Sequence, residues 1–226
     1  MSARLSLILI ALSGILGTAL LGTYFGVGFS AGLAQLPPDA TTAQVVRAAT
    51  QYHNLWFLGT WLQATGSLLS VVFFIALVQR AGAAAQLAGL LTILGSAVLL
   101  AVVLIEGVFT IDLAQAAVNG HQVASLTSFD IMTVFTYIYP IVPAPVIFLA
   151  LGTVLLGSHL LPRVFGYLAL GLGIAFEIVG FVGLFTTPVL TLVALSLQAL
   201  WVLAAAITLL VRTGMASNAP AEATPL

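Results

Sequence analysis

Six runs of at least 22 residues in this chain hold only two charged side chains between them, Glu106 and Glu177. They are Leu5 to Leu33, Leu55 to Val78, Leu87 to Ile111, Ile131 to Leu156, Val164 to Phe185 and Val189 to Val211. About 20 consecutive apolar residues cross the hydrocarbon of a bilayer as a helix. Only helices and closed barrels satisfy their backbone there. Barrel strands alternate apolar and polar positions, whereas these runs are continuous. With 62% hydrophobic residues and 5% charged, the 226-residue chain has more apolar surface than a soluble interior could hide. The sequence therefore predicts an all-α integral membrane bundle of six transmembrane helices over residues 1–212. A polar, proline-containing tail at 213–226 is expected to be a disordered cytoplasmic segment.

The arginines set the expected orientation. Arg4, Arg80, Arg163 and Arg212 fall on one side of six spans, and Arg47 alone falls on the other. The positive-inside rule then puts both termini in the cytoplasm of a multi-pass cell-membrane protein. Run one has a charged start and a small-residue exit, as a secretory signal does, but it is about twice the length of a signal h-region and reads as a true span. Its Gly22, Gly26, Gly28 and Gly32 suggest close packing, or an early break, at the outer end.

Two short extracytoplasmic surface helices are expected. The first follows run one, with Asp39 as its N-cap and Gln44 and Arg47 on its polar face. Trp56 and Trp61 then read as interfacial anchors at the start of span two. The second is expected between Asp112, as cap, and the Asn119-Gly120 stop, with Ser128 capping span four. Within span four, YPIVPAPV brings Pro140, Pro143 and Pro145 near mid-depth. Each proline removes a backbone donor, so the helix must kink or break there. Broken helices line binding sites in some transporters, and a kink that only shapes packing is the simpler reading.

Glu177 is the most informative polar residue. Gly166, Gly173 and Gly180 recur every seven residues and form one stripe of span five, and Glu177 lies close to it. The carboxyl is accordingly expected to face protein, roughly 3 Å outward of mid-span. Glu106 is expected roughly 10 Å outward of the middle of span three, where it reaches outer water or pairs with Arg47 or His53. Asp112, Asp130, His53, His121, Tyr52, Tyr137 and Tyr139 would then gather around it on the outer side. The candidate ligand or proton site comprises Glu177, Glu106, Tyr137, Tyr139, Pro140, Pro143, His53, Asp112 and Asp130. Gly95 precedes Glu106 by eleven residues, as Gly166 precedes Glu177, which hints at a repeated helical hairpin.

Several chemistries are excluded. The chain has no cysteine, so it has no disulfide or thiol chemistry. It has no lysine, and hence no Schiff base. Its three histidines do not suit intramembrane haem, and no zinc, magnesium–diphosphate, serine-elbow or P-loop motif is present. No catalytic residue, metal or cofactor is assigned. A net charge of −1 offers nothing to nucleic acid.

PPDATTAQVV at 37–46, Arg80 closing run two, and LLPRVFGYLAL at 160–170 resemble a family of bacterial six-helix integral membrane proteins of unknown function. Members carry an acidic, alanine- and threonine-rich outer segment and a Leu-Pro-Arg entry to the fifth helix. The resemblance runs from Leu5 to Arg212 and implies the fold and the cell-membrane location. It supplies no activity. Two readings of function stand. One is a non-catalytic partner, sensor or accessory bundle whose partners are the lipid bilayer, a second copy, or another membrane protein. The other is a carrier or membrane-embedded enzyme for a lipophilic small molecule, with Glu106 and Glu177 as its proton-handling groups.

Overall fold

The computed structural model describes residues 3–30, 36, 39–185 and 189–215. All regular structure among them is helical: α1 Ala3–Ser30, α2 Thr42–Gln51, α3 His53–Arg80, α4 Leu87–Val118, α5 Gln122–Ile141, α6 Pro143–Leu156, α7 Arg163–Gly183 and α8 Val189–Met215. Five of these, α1, α3, α4, α7 and α8, are long and apolar enough to cross a membrane, which fits a membrane protein. The fourth apolar run is divided between α5 and α6.

Helix ends follow local chemistry. After α3 and α4 the chain closes two Schellman turns around glycines in the left-handed region, Gly82 (φ 69°) and Gly120 (φ 79°). In the first, Gly82 N–H donates to Gln79 O and Ala83 N–H to Val78 O; in the second, Gly120 N–H donates to Ala117 O and His121 N–H to Ala116 O. The α2 N-cap is Thr41 rather than Asp39: Gln44 Oε1 accepts from Thr41 N–H at 2.8 Å, one half of a capping box.

Only one separate surface helix is present among the described residues. The expected second one is the last part of α4, which runs unbroken past Asp112 to Val118. Ser128 likewise lies inside α5 rather than at its cap. Its hydroxyl donates to Asp112 Oδ2 at 2.5 Å, tying the two helices together across the Gly120 turn. The predicted break in span four lies at Val142 (φ −120°, ψ −66°), with Pro143 opening α6. Pro143 and Pro145 have no N–H, so the carbonyls of Tyr139 and Ile141 lack the donors a continuous helix would supply.

The helices form a ring in nearly chain order: α1 against α3, α3 against α4, α4 against α5 and α6, these against α7, α7 against α8, and α8 back against α1. Arg4, Arg80, Arg163 and Arg212 lie at the helix ends of one side, where Arg212 Nη1 donates to Leu160 O. Helix α2 lies across α4 and α5 at the other end.

Toward the arginine end the ring is filled by aromatic side chains. Phe148 packs edge-on against Phe74 and Trp201, and stacks on Phe176 at 5.9 Å. Trp201 Nε1–H donates to Phe165 O at 3.0 Å, so the indole is buried without stranding its donor. A smaller core under α2 joins Val45, Ala49, Trp56, Leu113, Ala114 and Phe129. Trp56 is therefore a core residue, 2% exposed, and only Trp61, at 58%, stands where an interfacial anchor would. The close-packing glycines of α1 are Gly14 and Gly17, because the space around Gly22, Gly26 and Gly28 is open.

Candidate functional site

The two acids of the apolar helices occupy opposite environments. On α4, the buried Leu99, Val102, Val103 and Leu113 define the face turned to the ring interior, and Glu106 sits at its centre. Gln63 holds the same position on α3, between the buried Gly59, Gly66 and Ser70. Gln63 Nε2–H donates to Glu106 Oε2 at 2.9 Å. Tyr24 projects from the inward face of α1, one stripe with Gly17 and Ile10, and lies over Gly59 within electrostatic range of Glu106. Three helices thus bring a carboxyl, an amide and a phenol together.

Burial distinguishes this level from the one below it. Glu106, Gln63 and Tyr24 all point inward, yet each is only half-buried. Phe74 and Leu77, further along the inward face of α3, are wholly buried. The inward faces are thus less completely covered at this level than at the aromatic plug. Tyr139 stands on the far wall, packed edge-on against Phe176, and its hydroxyl donates to Gln198 Oε1 on α8. Val103, one turn below Glu106, belongs to the same apolar cluster against which Tyr139 packs. The aromatic plug is therefore the floor beneath both polar pairs.

The anticipated gathering of acids, histidines and tyrosines around Glu106 does not form. Glu106 pairs with Gln63, not with Arg47 or His53. His53 Nδ1 is held by Thr50 O on its own turn, Asp112 is held by Ser128, and Asp130 is exposed. His121 is exposed at the start of α5, and Tyr52 joins Gln51. Tyr139 is turned to α8, and Pro143 is buried at the helix break. The side chains of Tyr137 and Pro140 lie outside the described residues. Among the described residues, no three His, Cys, Asp or Glu side chains are placed to hold a metal ion.

Glu177 does not face protein. The glycine stripe is inward as expected, with Gly166, Gly173 and Gly180 all buried, but the carboxyl is exposed. Glu177 stands about 40° round the helix from Gly173. The buried arc extends the other way, through Ala169, Phe176 and Gly183, so Glu177 falls on its flank. The equal spacing of Gly95–Glu106 and Gly166–Glu177 thus carries no equivalence of role. Both glycines pack against α6, while one acid points in and the other out.

Sequence reasoning missed Tyr24, Gln63 and Gln198. The available signal was a bulky polar side chain well inside an apolar run, which in a membrane helix calls for a partner. Comparison with family models, with curated proteins and with solved structures finds no match for this chain.

Proposed function

We propose that the chain is a six-span protein of the cell membrane, with α5 and α6 forming one broken span and both termini cytoplasmic. In this reading it is a non-catalytic bundle that binds a small lipophilic molecule in a recess opening to the outer face on the α1 side, which α2 and the small core beneath it do not cover. The observation that carries the reading is the accessibility of Glu106 and Gln63 at the centre of inward-facing arcs. Their carboxyl and amide, with Tyr24, offer donors and acceptors above an apolar floor, the composition usual for small-molecule sites. The polar side chains are engaged in simple pairs, Glu106 with Gln63 and Tyr139 with Gln198, which suits recognition better than bond-making. A proton-coupled carrier using both acids is not supported, because Glu177 is outside the ring.

The natural absence of cysteine makes the test direct. Single cysteines at positions 63, 74 and 104 would be challenged in intact cells with a charged, membrane-impermeant thiol reagent. Position 63 should react. Position 74, in the aromatic plug, and position 104, on the exposed apolar face of α4, should not. A cysteine at Gln51 should react from outside, and one at Met215 only after permeabilisation. Protection of position 63 would refute the recess, and reaction of position 215 in intact cells would refute the orientation.

A further inference from the structure

Glu177 poses a question that the recess does not answer. It lies about 6 Å from the midpoint of α7, well within the roughly 15 Å half-thickness of hydrocarbon. Ile174, Ile178 and Phe181, exposed around it, are apolar. No side chain among the described residues bonds to it. An unpaired acid at that depth is costly, and such groups ordinarily pair with another polar group. The chain has no lysine, and its five arginines are Arg4, Arg47, Arg80, Arg163 and Arg212. Four of these stand in the first or last turns of apolar helices and Arg47 is on α2, while His53, His121 and His159 lie at helix ends or in turns, so a second copy in the same register brings no basic side chain to this depth.

The surroundings favour a helix as the occupant. Gly166, Leu170 and Gly173 on α7 meet Leu156, Gly152 and Leu149 on α6 in turn. One further step in that register puts Glu177 level with Pro145, beside the break in span four. The carbonyls of Tyr139 and Ile141 stand about one turn or more outward of it, so they do not answer Glu177. An exposed acceptor with no donor of its own matches a cationic donor.

We propose that the Glu177 flank of α7 docks a transmembrane helix of a different protein that carries a basic side chain near mid-membrane. The proposal shares only the membrane setting with the recess reading. Its test uses the full chain in phosphatidylcholine vesicles, donor-labelled at Gln51→Cys, and an acceptor-labelled leucine–alanine helix with one central arginine. Energy transfer should show about tenfold tighter association than with the same helix bearing central leucine, the scale of one strong polar contact in a membrane. Glu177→Gln should erase that preference with helix content unchanged, since the side chain is exposed. Glu177→Lys should transfer it to a helix with central glutamate, while Glu106→Gln should leave it intact. Equal binding of the leucine helix, retained preference in Glu177→Gln, or self-association of the chain lost in that variant would each overturn the proposal. The cysteine-labelling pattern at position 63 is independent of all these outcomes.

Discussion

Along its long axis the ring changes character. Toward the arginine end, Phe73, Phe74, Phe148, Phe176 and Trp201 meet in one aromatic cluster and leave no inward side chain accessible at that level. Toward the α2 end, the same inward faces carry Tyr24, Gln63 and Glu106, which stay partly accessible. The backbone is equally helical in both halves. In lipid there is little hydrophobic drive to join helices, so tight packing and interhelical hydrogen bonds must do it. One half is joined by aromatic packing, and the other combines polar pairs with the small core beneath α2.

The contrast is open to direct attack. The largest expected effect is from Phe148→Ala, which empties the centre of the plug and should destabilise the bundle by about 3–5 kcal/mol in denaturant titration. Gly173→Ala comes next. Its Cβ would lie 2.6 Å from Leu149 Cγ and 2.9 Å from Leu149 N, so α6 and α7 must part, at a cost of about 1–3 kcal/mol in the same titration. Glu106→Leu removes one polar pair from a half that is loosely filled, and should cost only about 0.6–2 kcal/mol. A loss for Glu106→Leu as large as that for Phe148→Ala would abolish the distinction between the halves. The smallest effect is expected for Trp56→Phe. Trp56 Nε1 is buried without an acceptor, so losing that donor relieves about 1–3 kcal/mol of desolvation and offsets the lost ring area. Thermal melts should show the variant nearly as stable as the parent.

Much of this architecture is legible in the residue string, because lipid leaves the backbone few choices. Run lengths locate five helices long and apolar enough to cross a membrane, and YPIVPAPV locates the break that divides the fourth run. The glycine repeat correctly marks the packed stripe of α7. It does not fix how far the buried arc extends on either side, and that depends on where α5, α6 and α8 sit. Glu177 therefore lies on a flank that no seven-residue spacing could distinguish from the interior. Similarly, the Glu106–Gln63 pair depends on the register of α3 against α4, which apolar sequence hardly encodes. The Thr41–Gln44 box was readable as T-x-x-Q, yet the nearby Asp39 is the stronger single-residue signal. Asp112 reads as a helix start, but its carboxylate takes the Ser128 hydroxyl and leaves the α4 backbone undisturbed.

The contact of α1 with α8 bears on how the molecule is made. A Cβ on Gly14 would lie 2.9 Å from Ala206 Cβ, so the two helices meet with almost nothing between them. Ribosomal synthesis delivers α8 long after α1. Until α8 is inserted, the side of α1 around Gly14 that meets Ala206 stands uncovered in the bilayer, open to whichever insertase or nascent neighbour it meets.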